Sequence, residues 1–420
     1  MNSMKPKNIR NDNSIFLDRI YLLTGIKLNL DYKDKLITIP EKYYSLFPTK
    51  KKNEIVLLKE ISTVVDNILS RKEEYGDVQL NNWRRFNHNE NFLVQNKFDQ
   101  SPIIDELILD VINQLGLKCR NIWPENKKAV VCLTHDVDSF DGTSYLWLRK
   151  AFWLAMSLKC LFKRRFSESK GWLKKVKRWS NITKDPIFAF DNWMELEDGF
   201  GFRSTFYFMA LEHTLSKEGR LYSFKNPNVR KVLKELNNGG WEIGLHGAYY
   251  KHLNLNYLKE QKRRLEDALN DEVFGCRHHF LRVRYPESWL LYEKTGFKYS
   301  SNVGWDAGEN GFRAGTCLPY QPSYGKNNEK IELWEIPFQL MDSKKIENPD
   351  AYLNLFLDYL EKVKKVGGCL VIDFHQEHFD EDEAPGVIIT YKKILHILSE
   401  DNQVFVTTMN NLYQHMFNLS

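Results

Sequence analysis

From Ala129 onward, short apolar runs alternate with amphipathic segments of helical period, and this alternation restricts the fold more than any other feature. We expect strands at 129–135, 203–209, 241–246, 275–281, 297–303, 332–340, 369–375 and 403–408. Gly239–Gly240 and Gly367–Gly368 each stand between a helical pattern and the next strand, as helix stop signals do. Strands that alternate with helices are typical of parallel βα units. The sequence therefore predicts an α/β protein whose strands close into a barrel or form an open sheet.

The length of the chain allows more than this one unit. With 420 residues, 42% of them hydrophobic and 14% aromatic, the chain can bury one large core, or a core plus a satellite domain. No chemical motif occurs before Pro124. We therefore expect an N-terminal α/β extension at 1–125, a (β/α) barrel at 126–420, and a basic helical insertion at 143–182 within the barrel.

The basic insertion concentrates the charge of the chain. Between Thr143 and Ser180 there are eleven Lys or Arg residues and one acid, a local charge of +10, so the rest of a chain with a net charge of +5 carries −5. Read as a helix, the segment has one apolar stripe, made of Trp147, Ala151, Leu154, Leu158 and Leu161. A basic amphipathic helix with aromatic residues suits an anionic membrane surface, where each cation contributes about 1 kcal/mol.

The basic segment has two other interpretations, a packed hairpin and a nucleic-acid contact. It could be a helical hairpin that packs on the barrel and exposes only its basic face. Nucleic acid is not expected as a partner, because no base-reading fold accompanies the charge.

The beginning of the chain and the cysteines bear on location. The first apolar run is short, is broken by Asp18 and Arg19, and lacks a small-residue cleavage site, so we expect no secretory signal. No window offers about 18 uninterrupted apolar residues, the length of a spanning helix. The six cysteines are scattered and form no CxxC pair. The sequence predicts a cytoplasmic protein that associates peripherally with the inner face of the cell membrane.

Polar side chains follow several of the predicted strands where those strands end. Asp136 and Asp138 end the first, His246 ends the third, His279 lies in the fourth, and His375 ends the seventh. The carboxyl ends of parallel strands meet at one edge, where βα loops build active sites. An acidic turn exposed to solvent is the alternative interpretation of the two aspartates. At this edge, however, the five residues are expected to converge.

The spacing of the two aspartates suggests a metal. Residues at i and i+2 of a strand point to the same side, so Asp136 and Asp138 would repel each other unless a cation compensates. A divalent metal held by one carboxylate would leave the other free as a base, and His246 is a plausible further ligand. His278 and His279 alternate faces, so only one can point inward. His375 follows the most apolar strand and is the natural general acid.

Four stretches resemble the motifs of the polysaccharide deacetylase family: "LTHDVD", "GWEIGLHG", "RHHFLRVRYPESW" and "VIDFHQEH". The resemblance implies a distorted (β/α) barrel that uses a metal to remove N-acetyl or O-acetyl groups from sugars. It assigns Asp136 as general base, Asp138 and His246 as metal ligands, Arg282 as the residue that orients the base, and His375 as general acid. "RSTFYFM", "GFRAGTCLPY" and "LWEIPFQLMD" resemble the branch of the family associated with bacterial surface polysaccharides.

The chain departs from the family at one ligand. A second metal-binding His usually follows the first by four residues, but position 250 is Tyr. His279 or His252 could take its place, and we favour His279 because a strand end is held more rigidly than a loop. Trp305 and Arg313 are candidate substrate contacts, with a loop anchored by a structural Arg as the equal alternative.

Together these features predict a metal-dependent hydrolase, with zinc as the expected metal, that acts in surface polysaccharide or lipopolysaccharide biosynthesis. The expected substrate is an N-acetylated sugar or a lipid- or nucleotide-linked glycan precursor, and residues 143–180 are the expected contact with an anionic membrane surface. The alternative is a catalytically inactive barrel that binds carbohydrate or acts as a scaffold in a membrane-associated biosynthetic complex. A hydrolase of another amide, such as a cyclic ureide, would use the same groups.

Overall fold

The computed structural model describes residues 14–28, 34–47, 55–143, 146–211, 222–306 and 308–419. The α-helices in these residues are α1 (Ile15–Thr24), α2 (Leu58–Leu69), α3 (Phe92–Gln95), α4 (Ile103–Gln114), α5 (Leu146–Phe162), α6 (Phe166–Ser180), α7 (Phe190–Asp198), α8 (Pro227–Asn238), α9 (Leu255–Leu269), α10 (Glu287–Thr295), α11 (Pro349–Val366), α12 (Val387–Glu400) and α13 (Met409–Leu419). The strands are β1 (Leu36–Thr38), β2 (Ile55–Leu57), β3 (Ala129–Val137), β4 (Thr205–Met209), β5 (Glu242–Gly247), β6 (Gly275–His278), β7 (Tyr299–Ser300), β8 (Ser323–Tyr324), β9 (Glu329–Lys330), β10 (Trp334–Glu335), β11 (Leu340–Met341), β12 (Cys369–Asp373) and β13 (Val404–Thr407). Short 3-10 turns lie at Glu41–Leu46, Lys72–Glu74, His88–Glu90, Pro124–Asn126, His279–Leu281 and Gln376–His378.

While β8 and β9 form a separate antiparallel pair, most strands from β3 onward build one curled parallel sheet. Within the described residues its order is β10-β7-β6-β5-β4-β3-β12-β11, and β13 pairs with the first half of β3. Every residue of β3 is buried, which is why this strand reads as an unbroken apolar run up to Thr134. The structure thus has the α/β architecture predicted from the sequence.

One short segment closes the sheet. β10 pairs with β7 at one edge and β11 pairs with β12 at the other, yet only residues 336–339 separate β10 from β11. Within that segment the Phe338 N–H donates to the Val303 carbonyl, and the Gln339 N–H donates to the Val371 carbonyl. Because so few residues can span only a short distance, the two sheet edges meet here, and the sheet forms a distorted barrel.

Local sequence signals explain where the outer helices begin and end. Asn226, Asn254 and Asn348 accept backbone N–H bonds as the N-caps of α8, α9 and α11. At the other end of α11, Gly367 has a φ of 68°, the left-handed conformation that favours glycine. These caps fix how far each helix extends between the strands it connects.

The N-terminal section packs on the barrel through buried polar contacts. The guanidinium of Arg19 in α1 lies 3.2 Å from Asp105 in α4 and donates to the Leu318 carbonyl at 2.7 Å. A second buried pair joins Glu74 to Arg313 at 2.6 Å. The domain limits 1–125, 126–420 and 143–182 remain predictions.

The basic insertion forms two consecutive helices, α5 and α6, which we call the hairpin. Its interior side is made of Ser157, Cys160, Ser169 and Trp179, and the Ser157 and Ser169 hydroxyls are 2.8 Å apart. The predicted stripe of Trp147, Ala151, Leu154, Leu158 and Leu161 is exposed along its whole length. The apolar stripe therefore does not pack on the barrel. Among the described residues, no helix combines the length and apolar character needed to cross a bilayer.

Candidate metal and catalytic centre

Two aspartates mark the carboxyl end of β3. Asp136 lies in the strand, in register with Tyr207 of β4, and is almost fully buried. Asp138 follows directly after the strand, and its side chain is 22% exposed. Both carboxylates stand at the open end of the barrel, which we call the mouth.

Two histidines reach Asp138 from neighbouring strands. His246 Nε2, at the end of β5, is 3.2 Å from Asp138 Oδ1, and His279 Nε2, just after β6, is 3.2 Å from Asp138 Oδ2. Both imidazoles are buried, and their Nδ1 atoms have no hydrogen-bond partner among the described residues. The structure thus brings together three of the predicted ligands.

These three side chains fit a divalent cation. Their ligand atoms, one oxygen and two nitrogens, lie within 4.8 Å of one another. Burial opposes ionisation of Asp138, but the two imidazoles hold the pKa of its carboxyl well below the usual value. Burial also opposes charge on His246, yet Asp136 and Asp138 raise its pKa. One carboxylate and two imidazoles around a shared point are the donor set of zinc-like ions.

The neighbouring His278 points to the other side of β6, as strand alternation predicts. Its Nδ1 accepts from the Tyr292 hydroxyl at 2.9 Å, and burial holds its pKa well below the usual value. A Cβ at Gly247 would come within 2.6 Å of this ring, so only glycine leaves room for it beside His246. His252, the alternative ligand, belongs to no cluster of three metal-binding side chains in the described part of the chain.

The arginine that contacts Asp136 is not the predicted one. Arg277 of β6 donates to Asp136 at 3.1 Å and to Asp373 at 2.7 Å. Arg282, predicted to pair with Asp136, instead donates to the Tyr249 carbonyl at 3.0 Å and lies over the Tyr249 ring. The reason is local: Phe280 and Leu281 have φ values of 56° and 50°, which turn the chain before Arg282.

His375 is held by a carboxylate that no sequence motif indicated. Its Nδ1 donates to Asp342 at 2.6 Å, and its side chain is 17% exposed at the mouth. Burial opposes the charge, but Asp342 and Asp373 raise the pKa of His375 well above the usual value. His378 is buried and donates to the other Asp342 oxygen at 2.7 Å. Asp342 thus anchors both rings.

The predicted substrate contacts Trp305 and Arg313 are both buried. Arg313 donates to Glu74 at 2.6 Å and lies 4.7 Å from the Trp305 ring centre. This favours the alternative that the sequence left open, a loop anchored by a structural arginine.

An aromatic residue of the N-terminal section stands at the mouth instead. Trp83 is 48% exposed and stacks on Phe280 with ring centres 4.8 Å apart, while Phe280 stacks on the His279 ring at 4.0 Å. The Trp83 carbonyl accepts from the Tyr249 hydroxyl at 3.0 Å, and Arg85 donates to the Phe280 carbonyl at 3.0 Å. No pattern in the sequence indicates this contact, because Trp83 lies far from any motif.

No family model and no curated protein matches the chain. A structure from Mycobacterium smegmatis assigned as a polysaccharide deacetylase is 16% identical, with a TM-score of 0.46, and the match covers 70% of this chain and 92% of that one. A structure from Pseudomonas aeruginosa PAO1 with the same assignment is 14% identical, with a TM-score of 0.47 and coverages of 72% and 95%. PuuE allantoinase is also 14% identical, with a TM-score of 0.45 and coverages of 70% and 92%. Such low identities concern the fold alone, and in fold the chain is similar to solved polysaccharide deacetylases, the family that its sequence motifs resemble.

Proposed function

We propose that this chain is a metal-dependent hydrolase that removes an N-acetyl or O-acetyl group from a sugar in surface polysaccharide or lipopolysaccharide biosynthesis. One observation carries the proposal: Asp138, His246 and His279 converge at one mouth, with Asp136 and His375 beside them. An acidic turn that is merely exposed to solvent gives no reason for two buried imidazoles to contact Asp138.

Asp138, His246 and His279 would hold the metal, which we propose to be zinc from the mixed oxygen and nitrogen donors. Such a cation would lower the pKa of a coordinated water toward neutrality and polarise the acyl carbonyl. The three ligands leave room for other groups, since Asp138 remains partly exposed at the mouth.

Asp136 is the group placed to take a proton from the attacking water. Its Oδ2 lies 3.7 Å from His246 Nε2, so it borders the ligand cluster without completing it. Arg277 donates to its other oxygen and lies between the rings of Tyr207 and Phe338, which fixes the direction of the carboxylate. We therefore assign the positioning role predicted for Arg282 to Arg277.

His375 is the group placed to give a proton to the departing amine or alcohol. Its raised pKa keeps it protonated near neutral pH, as an acid requires. Since its Nδ1 is taken by Asp342, the proton available at the mouth is the one on Nε2.

Trp83 supports a sugar as the substrate. The exposed indole is backed by Phe280, whose ring stacks on the ligand His279, and it offers a flat apolar surface to a sugar ring, whose C–H faces are apolar. We propose that the acetylated ring lies against Trp83 while its acyl group enters the mouth.

The form of the sugar and its place in the cell belong to the same proposal. We propose a lipid- or nucleotide-linked precursor at the inner face of the cell membrane. The exposed basic hairpin supports this location, because its charge and its apolar side chains suit an anionic membrane surface.

The test combines elemental analysis of the purified protein with acetate release from N-acetylated and O-acetylated sugars and sugar nucleotides. We expect about one zinc per chain and release that stops in the Asp136→Asn variant. Sugar binding without metal or acetate release would replace the hydrolase with a carbohydrate-binding scaffold. Opening of a cyclic ureide, without action on acetylated sugars, would change the substrate class.

A further inference from the structure

The hairpin exposes an unusual amount of apolar surface. Nine of the nineteen large hydrophobic side chains that are exposed in the described residues lie on α5 and α6. Phe162 is 88% exposed and Trp147 68% exposed. These exposed side chains do not pack between the two helices. The contact between the helices is made by other residues, among them Ser157, Ser169 and Trp179, which are buried. A water-exposed surface of this kind indicates a partner.

Cations surround this apolar surface. Within the described part of the chain, Lys159, Lys163, Lys170 and Lys174 form no ion pair. A second copy of the hairpin would repel these charges, and nucleic acid gives no reason for exposed leucines and phenylalanines. An anionic lipid surface satisfies both kinds of side chain, because it attracts cations and accepts apolar groups below the headgroups.

The hairpin is anchored at the mouth of the barrel. Its entry follows Asp138 by a few residues, where the Gly142 N–H donates to Asp185 at 2.7 Å. Near the end of α6, Arg178 pairs with Asp380 at 2.7 Å, and the Trp179 indole donates to Glu383 at 2.8 Å.

Asp380 and Glu383 belong to the segment that follows His375 and His378. Both ends of the hairpin are therefore attached to the rim of the barrel that carries the candidate active site. A surface that binds the hairpin would lie on the side of the mouth.

We infer that the hairpin lies on an anionic bilayer and holds the mouth of the barrel against it, so that the enzyme acts on an acetylated sugar attached to a lipid. The membrane contact stands on the hairpin alone, and the nature of the substrate rests on the proposed function. A sugar linked to a lipid would lie at the level of the headgroups, and the mouth of the barrel would lie at the same level.

Flotation tests the contact. The full chain is mixed with vesicles of phosphatidylcholine alone or with about a third phosphatidylglycerol, and we expect recovery with the anionic vesicles only, weakened by salt. Two hairpin variants should each lose at least tenfold in binding: Phe152→Ser/Leu158→Ser/Phe162→Ser, and Lys159→Glu/Lys163→Glu/Lys170→Glu/Lys174→Glu. The matched control, Leu357→Ser/Ile389→Ser, changes exposed apolar residues of α11 and α12 and should bind as the parent does. Equal recovery of the parent and both hairpin variants would overturn the contact, as would a hairpin-dependent dimer that ignores vesicles.

Energy transfer to a labelled lipid tests the orientation. In a Cys119→Ser background, since Cys119 is the exposed cysteine among the six, a dye is attached at Lys344→Cys after β11 or at Asn402→Cys before β13. We expect strong transfer from position 344, at the mouth, and at least threefold weaker transfer from position 402. The reverse order would overturn the orientation even if flotation succeeds.

Kinetics separate this inference from the proposed function. Anionic vesicles should raise acetate release from a vesicle-borne acetylated glycolipid at least tenfold, and the hairpin variants should lose this gain while hydrolysing the water-soluble sugar as the parent does. Release from the soluble sugar with no gain from vesicles would overturn the lipid-linked substrate alone. No release from either substrate would overturn the proposed function, and flotation would still decide the contact.

Discussion

The guanidinium of Arg277 donates to Asp136 at 3.1 Å and to Asp373 at 2.7 Å, in a pocket where the arginine is fully buried. It thus joins the candidate base to a carboxylate of β12 and brings a permanent positive charge to both.

We therefore expect Arg277 to position the base. Arg277→Lys keeps the charge but loses the planar fork, so kcat should fall on the order of 100-fold with metal content unchanged. Arg282→Lys is the matched control, because Arg282 contacts Tyr249 instead, and its kcat should stay within about threefold. Circular dichroism must show both variants folded; equal losses in the two variants would return the role to Arg282.

The ligand cluster makes a separate prediction about metal content. Asp138→Asn, His246→Ala and His279→Ala should each lower bound metal from about one equivalent to below about 0.1, because each removes one of three ligands. Asp136→Asn should retain the metal and lose turnover on the order of 10³-fold. His252→Ala serves as control and should keep its metal. Loss of metal in that variant, with retention in His279→Ala, would move the third ligand to the loop.

How much of this could be predicted from the sequence depends on the element. Five strands lie within two residues of their predicted limits: β3, β4, β5, β12 and β13. They could be predicted because a parallel strand that is buried on both faces has a nearly continuous apolar sequence. The predicted strand at 332–340 is in fact two short strands, since the chain crosses there from one sheet edge to the other. No local pattern signals such a crossing.

The candidate site likewise contains residues that could be placed from the sequence and residues that could not. Asp136, Asp138, His246 and His279 could be placed because residues at the ends of parallel strands must share an edge. Arg277 could have been found as well, since it lies two residues before His279 and so points to the same side of β6. Arg282 was misplaced because Phe280 and Leu281 adopt positive φ, which large apolar residues rarely do. Asp342 was missed because only the closed barrel brings it to His375.

The pair of Asp342 and His375 predicts a pH dependence. Asp342 raises the pKa of His375, so the acid stays protonated, and the enzyme active, until the pH rises through that elevated value. In Asp342→Asn the pKa of His375 should fall, and the alkaline limb of kcat/KM against pH should move to lower pH. His378→Asn, which also removes a bond to Asp342 but leaves its charge, should keep the limb near its original position. An unmoved limb in Asp342→Asn would exclude His375 as the acid.

The position of Trp83 predicts an effect on binding more than on chemistry. Trp83→Ala removes a flat surface that is separated from His279 by the Phe280 ring, so KM for the sugar should rise about tenfold with kcat within about twofold. Trp83→Phe should restore most of the affinity, since a ring still stacks on Phe280. Leu80→Ala, an exposed position in the same segment, is the control and should leave KM unchanged. A fall in kcat alone would show that Trp83 supports the ligand histidine and does not contact sugar.

Glu74 decides whether Arg313 is structural. Glu74 lies between two buried guanidinium groups, accepting from Arg313 and from Arg71 at 2.6 Å each, and these charges hold its pKa below the usual value despite burial. Glu74→Ala would leave both cations without this partner, and breaking such a buried pair costs about 3–5 kcal/mol. We expect a lower midpoint of thermal unfolding and an unchanged KM in the folded fraction. Arg313→Lys should behave in the same way but more mildly, since an ammonium can still reach one carboxylate oxygen. A raised KM at full stability in Arg313→Lys would instead mean that Arg313 contacts the substrate. In that case the loop that buries Arg313 would have to open when the substrate binds.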